Sequence, residues 1–170
     1  DRFTSQWLGT RLLADIMPAP RLGNFQDSDR DGIIEETELF FHEILKENLP
    51  IATFIRPDFT FLNEDIAKKI YGRSDVNSEK MQKVSLEEGS FHGGILGQAS
   101  IMMATANGVD TQPVLRGMWV LENVLGDPPP PPPTNVPAIT PDTRGAKTVR
   151  DLLSAHRDDK NCFRCHQKID

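Results

Sequence analysis

A run of six consecutive prolines, Pro128–Pro133, constrains the fold of this chain more than any other feature. Proline lacks a backbone N–H and holds φ near −65°, so the run can join neither a helix interior nor a central strand. It must adopt the polyproline II conformation, which extends about 3.1 Å per residue, or about 19 Å in all. We therefore predict a stiff spacer over residues 128–147. Alternatively, the proline run is a ligand that binds an aromatic groove of a partner domain.

The composition is close to that of an average soluble globular protein. Hydrophobic residues make up 38% and charged residues 26% of the 170 residues, which is enough to bury a core. The net charge is −6, and this argues against nucleic-acid binding, which needs a basic face for the phosphates. No stretch of about 20 apolar residues is present, so we expect no transmembrane helix. The first ten residues are mixed and polar and do not resemble a signal peptide.

The spacing of apolar residues predicts a mainly α fold, with irregular helical domains and long ordered loops. Helices are expected over residues 2–15, from Phe40 to Pro50, over 57–72, from Pro113 to Gly126 and over 148–156. The polar stretch from Arg73 to Ser90 is expected to be loop, with or without a short strand. The chain then divides into a helical module at 1–80, a second helical module at 81–127, the proline-rich spacer at 128–147 and a C-terminal segment at 148–170.

The only two cysteines stand three residues apart, in Cys162-Phe163-Arg164-Cys165-His166. This Cys-x-x-Cys-His spacing is the attachment signature of c-type haem. Three residues correspond to about one helical turn, so both thiols can bond the vinyl groups at one edge of the macrocycle while His166 binds the iron. A zinc site with His156 and one further ligand is an alternative. A disulfide or unmodified thiols are another, although a disulfide closing so small a loop constrains the unfolded chain little.

The second axial position of the iron needs another ligand, and His156 is the leading candidate. Thr148 can cap a helix in which His156 extends the apolar stripe of Val149, Leu152 and Leu153. A histidine hydrogen-bonded to backbone in the core, or a partly exposed one at the helix end, is the other interpretation of this residue. The remaining candidates for the position are Met102, Met103, Met118 and His92, or an open site. A methionine ligand would raise the reduction potential relative to two histidines.

The segment Asp27–Glu38 matches the twelve-residue loop of an EF-hand. Its calcium ligands would be the carboxylates of Asp27, Asp29, Asp31, Glu35 and Glu38 and the backbone carbonyl of Ile33. Gly32 permits the sharp turn at the sixth position. A cation would also relieve the mutual repulsion of these carboxylates, so the spacing predicts a structural calcium site. An acidic first segment of the following helix, with no metal, is the alternative.

Several stretches also carry a family resemblance. They are Asp58–Asn63 with Ala67 and Tyr71, Gly93–Ser100, Asn107, Thr111, Pro113-Val114, Arg116-Gly117, Trp119–Asn123 with Leu125-Gly126, and His156 with Cys162–His166 and Ile169-Asp170. Together they resemble the planctomycete-type exported cytochrome c proteins, large chains assembled from modules of unknown function. The resemblance spans two adjacent modules joined near residue 80. It implies covalent haem c, a place in the periplasm or at the cell surface, and a fragment of a longer chain.

These features favour a c-type haem module that transfers electrons within a larger exported protein and holds a structural calcium ion. Its partners would be a redox protein or other modules of the same parent chain. A structural or adhesion module that uses haem and calcium as staples is one alternative. A haem-dependent oxidative enzyme acting on polysaccharide or peroxide is another, with Arg116, Gln98 and His92 as nominal distal groups. No catalytic residue can be assigned from the sequence, and the chain is not expected to be an enzyme by itself.

Overall fold

The computed structural model describes residues 2–131, 147–158 and 160–169, with the backbone alone for Leu22, Ala155, His156, Lys160 and Asn161. Within these ranges the fold is mainly α with irregular connections, as predicted. The α-helices are α1 (Arg2–Trp7), α2 (Asp27–Lys46), α3 (Glu64–Lys69), α4 (Ala99–Ala104), α5 (Pro113–Trp119), α6 (Val149–Arg157) and α7 (Lys160–Ile169). Shorter elements are the 3₁₀ helices Thr10–Asp15, Pro20–Leu22 and Ile51–Phe54, the π-helical turn Val120–Leu125, and the strands β1 (Phe59–Leu62) and β2 (Gln82–Ser85).

The sequence also led us to expect a proline-rich spacer and no transmembrane helix. The spacer predicted at 128–147 lies outside the described residues from 132 to 146. In the described part of the chain, every helix is too short or too polar to cross a membrane.

The chain forms two compact units, residues 1–111 (unit 1) and 112–170 (unit 2). These bounds differ from the four predicted segments, because contacts within unit 1 cross the predicted boundary at residue 80. Strands β1 and β2 pair across it in antiparallel register, with Phe59 opposite Ser85 and Leu62 opposite Gln82. Helix α4 also packs against the 3₁₀ helix Thr10–Asp15. Unit 1 is therefore held together by pairings between segments that are distant in sequence.

The helix predicted over residues 57–72 is wrong in its first half, where the chain forms β1. Aromatic and β-branched residues such as Phe59, Thr60 and Phe61 favour a strand when a partner strand is present, and β2 provides that partner. Asn63 then begins α3, because its side-chain oxygen accepts a hydrogen bond from the Ile66 N–H at 2.9 Å. The second half of the prediction is confirmed. A short apolar run cannot by itself distinguish a buried strand from a helix segment.

Glycine and proline decide where several helices begin and end. The helix predicted over residues 2–15 is interrupted at Gly9, whose φ of 75° lies in the left-handed region. The helix predicted from Pro113 is confirmed, with Pro113 as the first residue of α5. Its continuation ends at Gly126, which has a φ of 64°.

The core of unit 1 surrounds α2, which contacts α1, α3, α4, β1 and the 3₁₀ helix Ile51–Phe54. A connected set of rings lies at one end of this core: Phe3, Trp7, Phe40, Phe41, Phe54, Phe59 and Phe61. At the other end the buried apolar residues are Leu13, Ile33, Leu62, Ile66, Ala67, Val76 and Met103. Helix α2 contributes to both sets, so it is the element that unites the core.

A buried carboxyl group joins three parts of unit 1. Glu36 of α2 is 0% exposed. Its Oε1 accepts hydrogen bonds from Thr60 Oγ1 of β1, at 2.6 Å, and from the hydroxyl of Tyr71 after α3. Among the described residues, its Oε2 has no hydrogen-bond partner. Burial raises the pKa of Glu36 to about 7, against the lowering effect of the two hydrogen bonds.

We expect unit 1 to lose stability as the pH rises from about 5 to about 8, because Glu36 must then ionise in a buried site. The ordinary pKa of this carboxyl is 4.5 and the folded value is about 7. The stabilisation is therefore complete below the unfolded pKa and is lost as the pH rises through the folded one. Since one pKa unit corresponds to about 1.4 kcal/mol, the free energy of unfolding should fall by an amount on the order of 3 kcal/mol.

The measurement is urea unfolding at several pH values. Glu36→Gln should remove most of this pH dependence while keeping the shape of the side chain. Glu35→Gln, at the exposed neighbouring position, should retain it. Equal pH dependence in the two variants would contradict this role of Glu36.

Candidate functional site

Helix α7 carries three residues that the sequence singles out. Cys162, Cys165 and His166 all lie within it, so the predicted helical spacing of the motif is confirmed. Cys162 is buried, whereas Cys165 and His166 are half-buried. No disulfide joins the two cysteines in the described part of the chain. Because residues three apart are neighbours on a helix surface, both thiols lie on the same side of α7.

A cavity of about 200 Å³ opens beside Cys165. Its wall consists of Leu121, Asp127, Pro128, Pro129, Pro130, Arg164, Cys165 and Lys168. The first prolines of the run are thus part of a wall of this site. Small-molecule sites typically enclose about 300–1,000 Å³, so a macrocycle bonded to Cys165 would extend beyond this cavity. The donor set itself, two thiols one turn apart followed by an imidazole, fits covalent haem.

The packing of α7 depends on a close contact with α5. A Cβ atom at Gly117 would lie 1.7 Å from the backbone oxygen of Ile169, near the end of α7. No side chain can be accommodated at that distance. The glycine therefore lets the two helices approach with their backbones in contact, which holds the cysteine turn in unit 2.

Gly117→Ala should destabilise unit 2, because the added methyl group must displace the last turn of α7. The cost of overpacking is about 1–3 kcal/mol and exceeds the gain of about 1 kcal/mol from replacing glycine in a helix. We expect a lower melting temperature and faster labelling of Cys165 by a thiol reagent. Leu115→Ala, at an exposed position of the same helix, is the control. A labelling rate equal to that of the control would show that the contact is not required.

The predicted sixth ligand, His156, lies on α6, and its side chain is outside the described part of the chain. The cap predicted for this helix is confirmed. Thr148 Oγ1 accepts a hydrogen bond from the Asp151 N–H at 3.1 Å, and the Asp151 carboxylate accepts one from the Thr148 N–H at 2.9 Å. Of the alternative ligands, Met118 lies in unit 2, on α5, and the others lie in unit 1: Met102, Met103 and His92.

The segment predicted as an EF-hand loop is helical, so that prediction of its conformation is wrong. Residues 27–38 form the first turns of α2. Asp29 is buried and serves as part of a capping box, in which its Oδ2 accepts a hydrogen bond from the Gln26 N–H at 2.9 Å. Its Oδ1 accepts a hydrogen bond from Lys69 Nζ at 2.7 Å. Asp29 is therefore stabilised by the chain's own donors.

The helix also separates the predicted calcium ligands. Asp27, Asp31, Glu35 and Glu38 fall on the side of α2 that is exposed or half-buried, while Asp29 and Ile33 lie on the buried side. Six such ligands cannot meet at one cation. Arg30 balances two of the exposed charges, at 3.0 Å from Asp27 and 3.9 Å from Asp31. Calcium binding by these residues stays a prediction of the spacing, and it would require the start of α2 to unwind.

Gly32, which an EF-hand would use for its turn, has a different role in this helix. A Cβ atom at this position would lie 2.8 Å from both Cγ1 and Cδ1 of Ile66. The glycine lets the buried Ile66 side chain of α3 pack against the backbone of α2. Helix capping and ion pairing thus explain the acidic residues, and close packing explains the glycine, without reference to calcium.

If the start of α2 keeps this helical conformation in solution, calcium should leave the stability and helix content of the chain unchanged, because the six predicted ligands lie on opposite sides of α2. The test compares far-UV circular dichroism and thermal melting with a chelator and with calcium at about 1 mM, the upper range of extracellular sites. A calcium-dependent rise in melting temperature that disappears in Asp31→Asn would restore the calcium loop.

The three residues named as distal groups of a haem enzyme each contact, or are partly buried by, other parts of the protein. Gln98 is 0% exposed, and its Oε1 accepts a hydrogen bond from Thr37 Oγ1 at 2.9 Å. His92 packs against the ring of Tyr71, with centroids 4.8 Å apart. Arg116 lies on α5, where partial burial lowers the pKa of its guanidinium. Each of these side chains thus has a packing environment of its own.

A larger cavity, of about 550 Å³, lies in unit 1 and was not foreseen from the sequence. It forms where the residues before β1 meet those after β2, and the Leu86 N–H donates a hydrogen bond to the Asp58 carbonyl at 2.8 Å there. Its charged lining residues are Arg56, Asp58, Glu87 and Glu88. These segments are distant in sequence, so only the register of the two strands reveals the cavity.

Two family models match the chain. Residues 1–72 match the one described as PSD4: Protein of unknown function (DUF1592). Residues 92–170 match the one described as PSCyt3: Protein of unknown function (DUF1588). The chain therefore contains two adjacent modules of unknown function, and α7 belongs to the second. No curated protein and no solved structure matches it.

Proposed function

We propose that this chain is a c-type haem module that transfers electrons within a larger protein exported to the periplasm or the cell surface. The observation that carries the proposal is the arrangement of Cys162, Cys165 and His166 on one helix, with Cys165 in the wall of a cavity. Cys162 and Cys165 would hold the porphyrin through thioether bonds, and His166 would bind the iron. Haem would supply a one-electron redox centre.

The chain's own residues suit the task of holding such a group. The thiols lie on one side of a helix, and His166 comes four residues, about one turn, after Cys162, so the three positions share a face from which they could hold one ligand. The α5 contact through Gly117 keeps α7 in place. The wall of the cavity combines Leu121 and three prolines with polar groups at its edge, a mixture common in cofactor sites.

The exported context rests on the resemblance together with the chemistry. Thioether attachment resembles that of c-type cytochromes, which are matured outside the cytoplasm. The presence of two adjacent modules supports a multi-module parent protein of the planctomycete type. His156 on α6 remains the proposed sixth ligand. Calcium is not carried into this proposal, because residues 27–38 are helical.

The proposal predicts that the chain, produced in a host with an active c-type maturation system, carries one covalent haem. The pyridine haemochrome spectrum should show a c-type α band, and the haem should resist extraction by acidified organic solvent. Cys165→Ala should lower the retained haem and shift the haemochrome α band, because only the thioether bond to Cys162 remains, and Cys162→Ala with Cys165→Ala should reduce the retained haem to background. Gln167→Ala, at an exposed position of the same helix, should retain it.

Two outcomes would contradict the proposal. One is a colourless chain that contains zinc at about one ion per chain, which would favour the zinc site instead. The other is a chain that holds neither zinc nor haem after maturation. The spectrum of the loaded chain also tests the enzyme alternative, because a low-spin, six-coordinate iron in both redox states leaves no open position for peroxide.

A further inference from the structure

The C-terminal segment differs in charge from the rest of the chain. Residues 148–170 contain five Lys or Arg and four Asp or Glu, a net charge of +1, in a chain whose net charge is −6. Helix α7 contains three basic residues and no acidic one: Lys160, Arg164 and Lys168. They recur every four residues, so the positions form one stripe along the helix.

Among the residues that the structure describes, the charges of Arg164 and Lys168 on α7 are weakly compensated by their neighbours. Arg164 and Lys168 are exposed, and like charges four residues apart destabilise a helix. Lys168 Nζ lies 3.4 Å from Asp127 Oδ2, but these side chains are 69% and 67% exposed, so the pair contributes little. On α6, which packs against α7, the carboxylate of Asp151 is engaged in its own helix cap. Within the described part of unit 2, Arg164 and Lys168 therefore form a positive surface.

This positive surface lies at the proposed point of haem attachment. Arg164 and Lys168 line the same cavity as Cys165, where two cations stand against the single carboxylate of Asp127. A thioether bond would place one edge of the porphyrin within a covalent bond of the Cys165 sulfur, whatever the orientation of the ring. Electrons that enter or leave through this edge would therefore pass beside two cationic side chains. Such charges guide association with a partner of opposite charge.

We propose that the redox partner of this module presents an anionic protein surface and docks on Arg164 and Lys168 beside Cys165. The inference rests on the proposed haem attachment. In the exchange, the iron of one protein loses one electron and the redox centre of the other gains it, so no atom is transferred. Charge complementarity selects the partner, since the remainder of this chain is acidic and would repel an anionic protein elsewhere on its surface.

The test uses the haem-loaded chain and two small oxidants of opposite charge, hexacyanoferrate(III) and tris(phenanthroline)cobalt(III), at low ionic strength in a stopped-flow spectrometer. Reversing both charges, in Arg164→Glu with Lys168→Glu, should slow oxidation by the anionic reagent by at least about tenfold, the lower range of electrostatic steering. It should speed oxidation by the cationic one. Both differences should vanish near 1 M salt, where screening extends only about 3 Å.

A matched control carries the same change in net charge in unit 1. Arg11→Glu with Lys80→Glu replaces two exposed basic side chains there, and its rates should stay within about twofold of the original chain, since neither residue lines the cavity beside Cys165. The neutral variant Arg164→Gln with Lys168→Gln should give an intermediate rate. A rate that follows the charge in this way separates the effect of charge from misfolding of the charge-reversed chain.

The reduction potential provides a second readout. Negative charge beside the iron favours its ferric state, so the charge-reversed α7 variant should have a lower potential than the control. Equal rates and potentials in the two charge-reversed chains, in the presence of a normal haemochrome spectrum, would overturn this inference alone. Absence of the haemochrome band from the original chain would overturn the proposed function, and this inference with it.

Discussion

The burial of the inward side of helix α2 is the constraint on which unit 1 depends. The buried residues of this side are Asp29, Gly32, Ile33, Glu36, Thr37, Phe40 and Ile44. Gly32 admits Ile66 of α3, and Glu36 receives the hydroxyls of Thr60 and Tyr71. Burying a carboxyl group is costly unless it is protonated or hydrogen-bonded. At Glu36 burial raises the pKa to about 7 and Oε1 accepts two hydrogen bonds, which link α2 to β1 and to the end of α3.

The acidic start of α2 illustrates how one pattern can satisfy two physical requirements. Carboxylates near a helix N-terminus are favoured by the helix dipole and can accept hydrogen bonds from the first backbone N–H groups. The same carboxylates at alternate positions of a loop would bind calcium. Asp29 shows which requirement applies here, because its two oxygens are engaged by Gln26 and Lys69. The motif read as a metal site is thus explained by helix capping and ion pairing.

Unit 2 has a different construction, with short helices, a proline-lined cavity and the cysteine turn. The described part of this unit relies on a backbone contact between α5 and α7 rather than on a large core. Such packing places the thiol of Cys165 at a cavity wall and leaves Arg164 and Lys168 exposed. In the proposed function these two properties act together, because the covalent bond determines where the porphyrin edge lies and the charges determine which surface can approach it.

Local rules were enough for those features that depend on neighbours in the sequence. Proline and glycine punctuation predicted the start of α5 and the end of the turn that follows it. The cap of α6 by Thr148 and Asp151 and the helical spacing of Cys162 and Cys165 could also be predicted, since each involves contacts within one turn. The mainly α fold follows from the same apolar periodicity. These are the parts of the candidate site that belong to a single helix.

Tertiary structure determined the features that form only when two segments distant in sequence meet. The strand pairing of Phe59–Leu62 with Gln82–Ser85 turned an apolar stretch that is compatible with a helix into a strand, because the partner's hydrogen bonds outweigh local propensity. The close approach of Ile66 to Gly32 gave that glycine a packing role, and the walls of both cavities come from segments that no spacing rule connects. The sequence by itself determined which residues could bond a porphyrin. Only the packing of one element on another determined which carboxyl is buried, which thiol meets a cavity and which charges surround it.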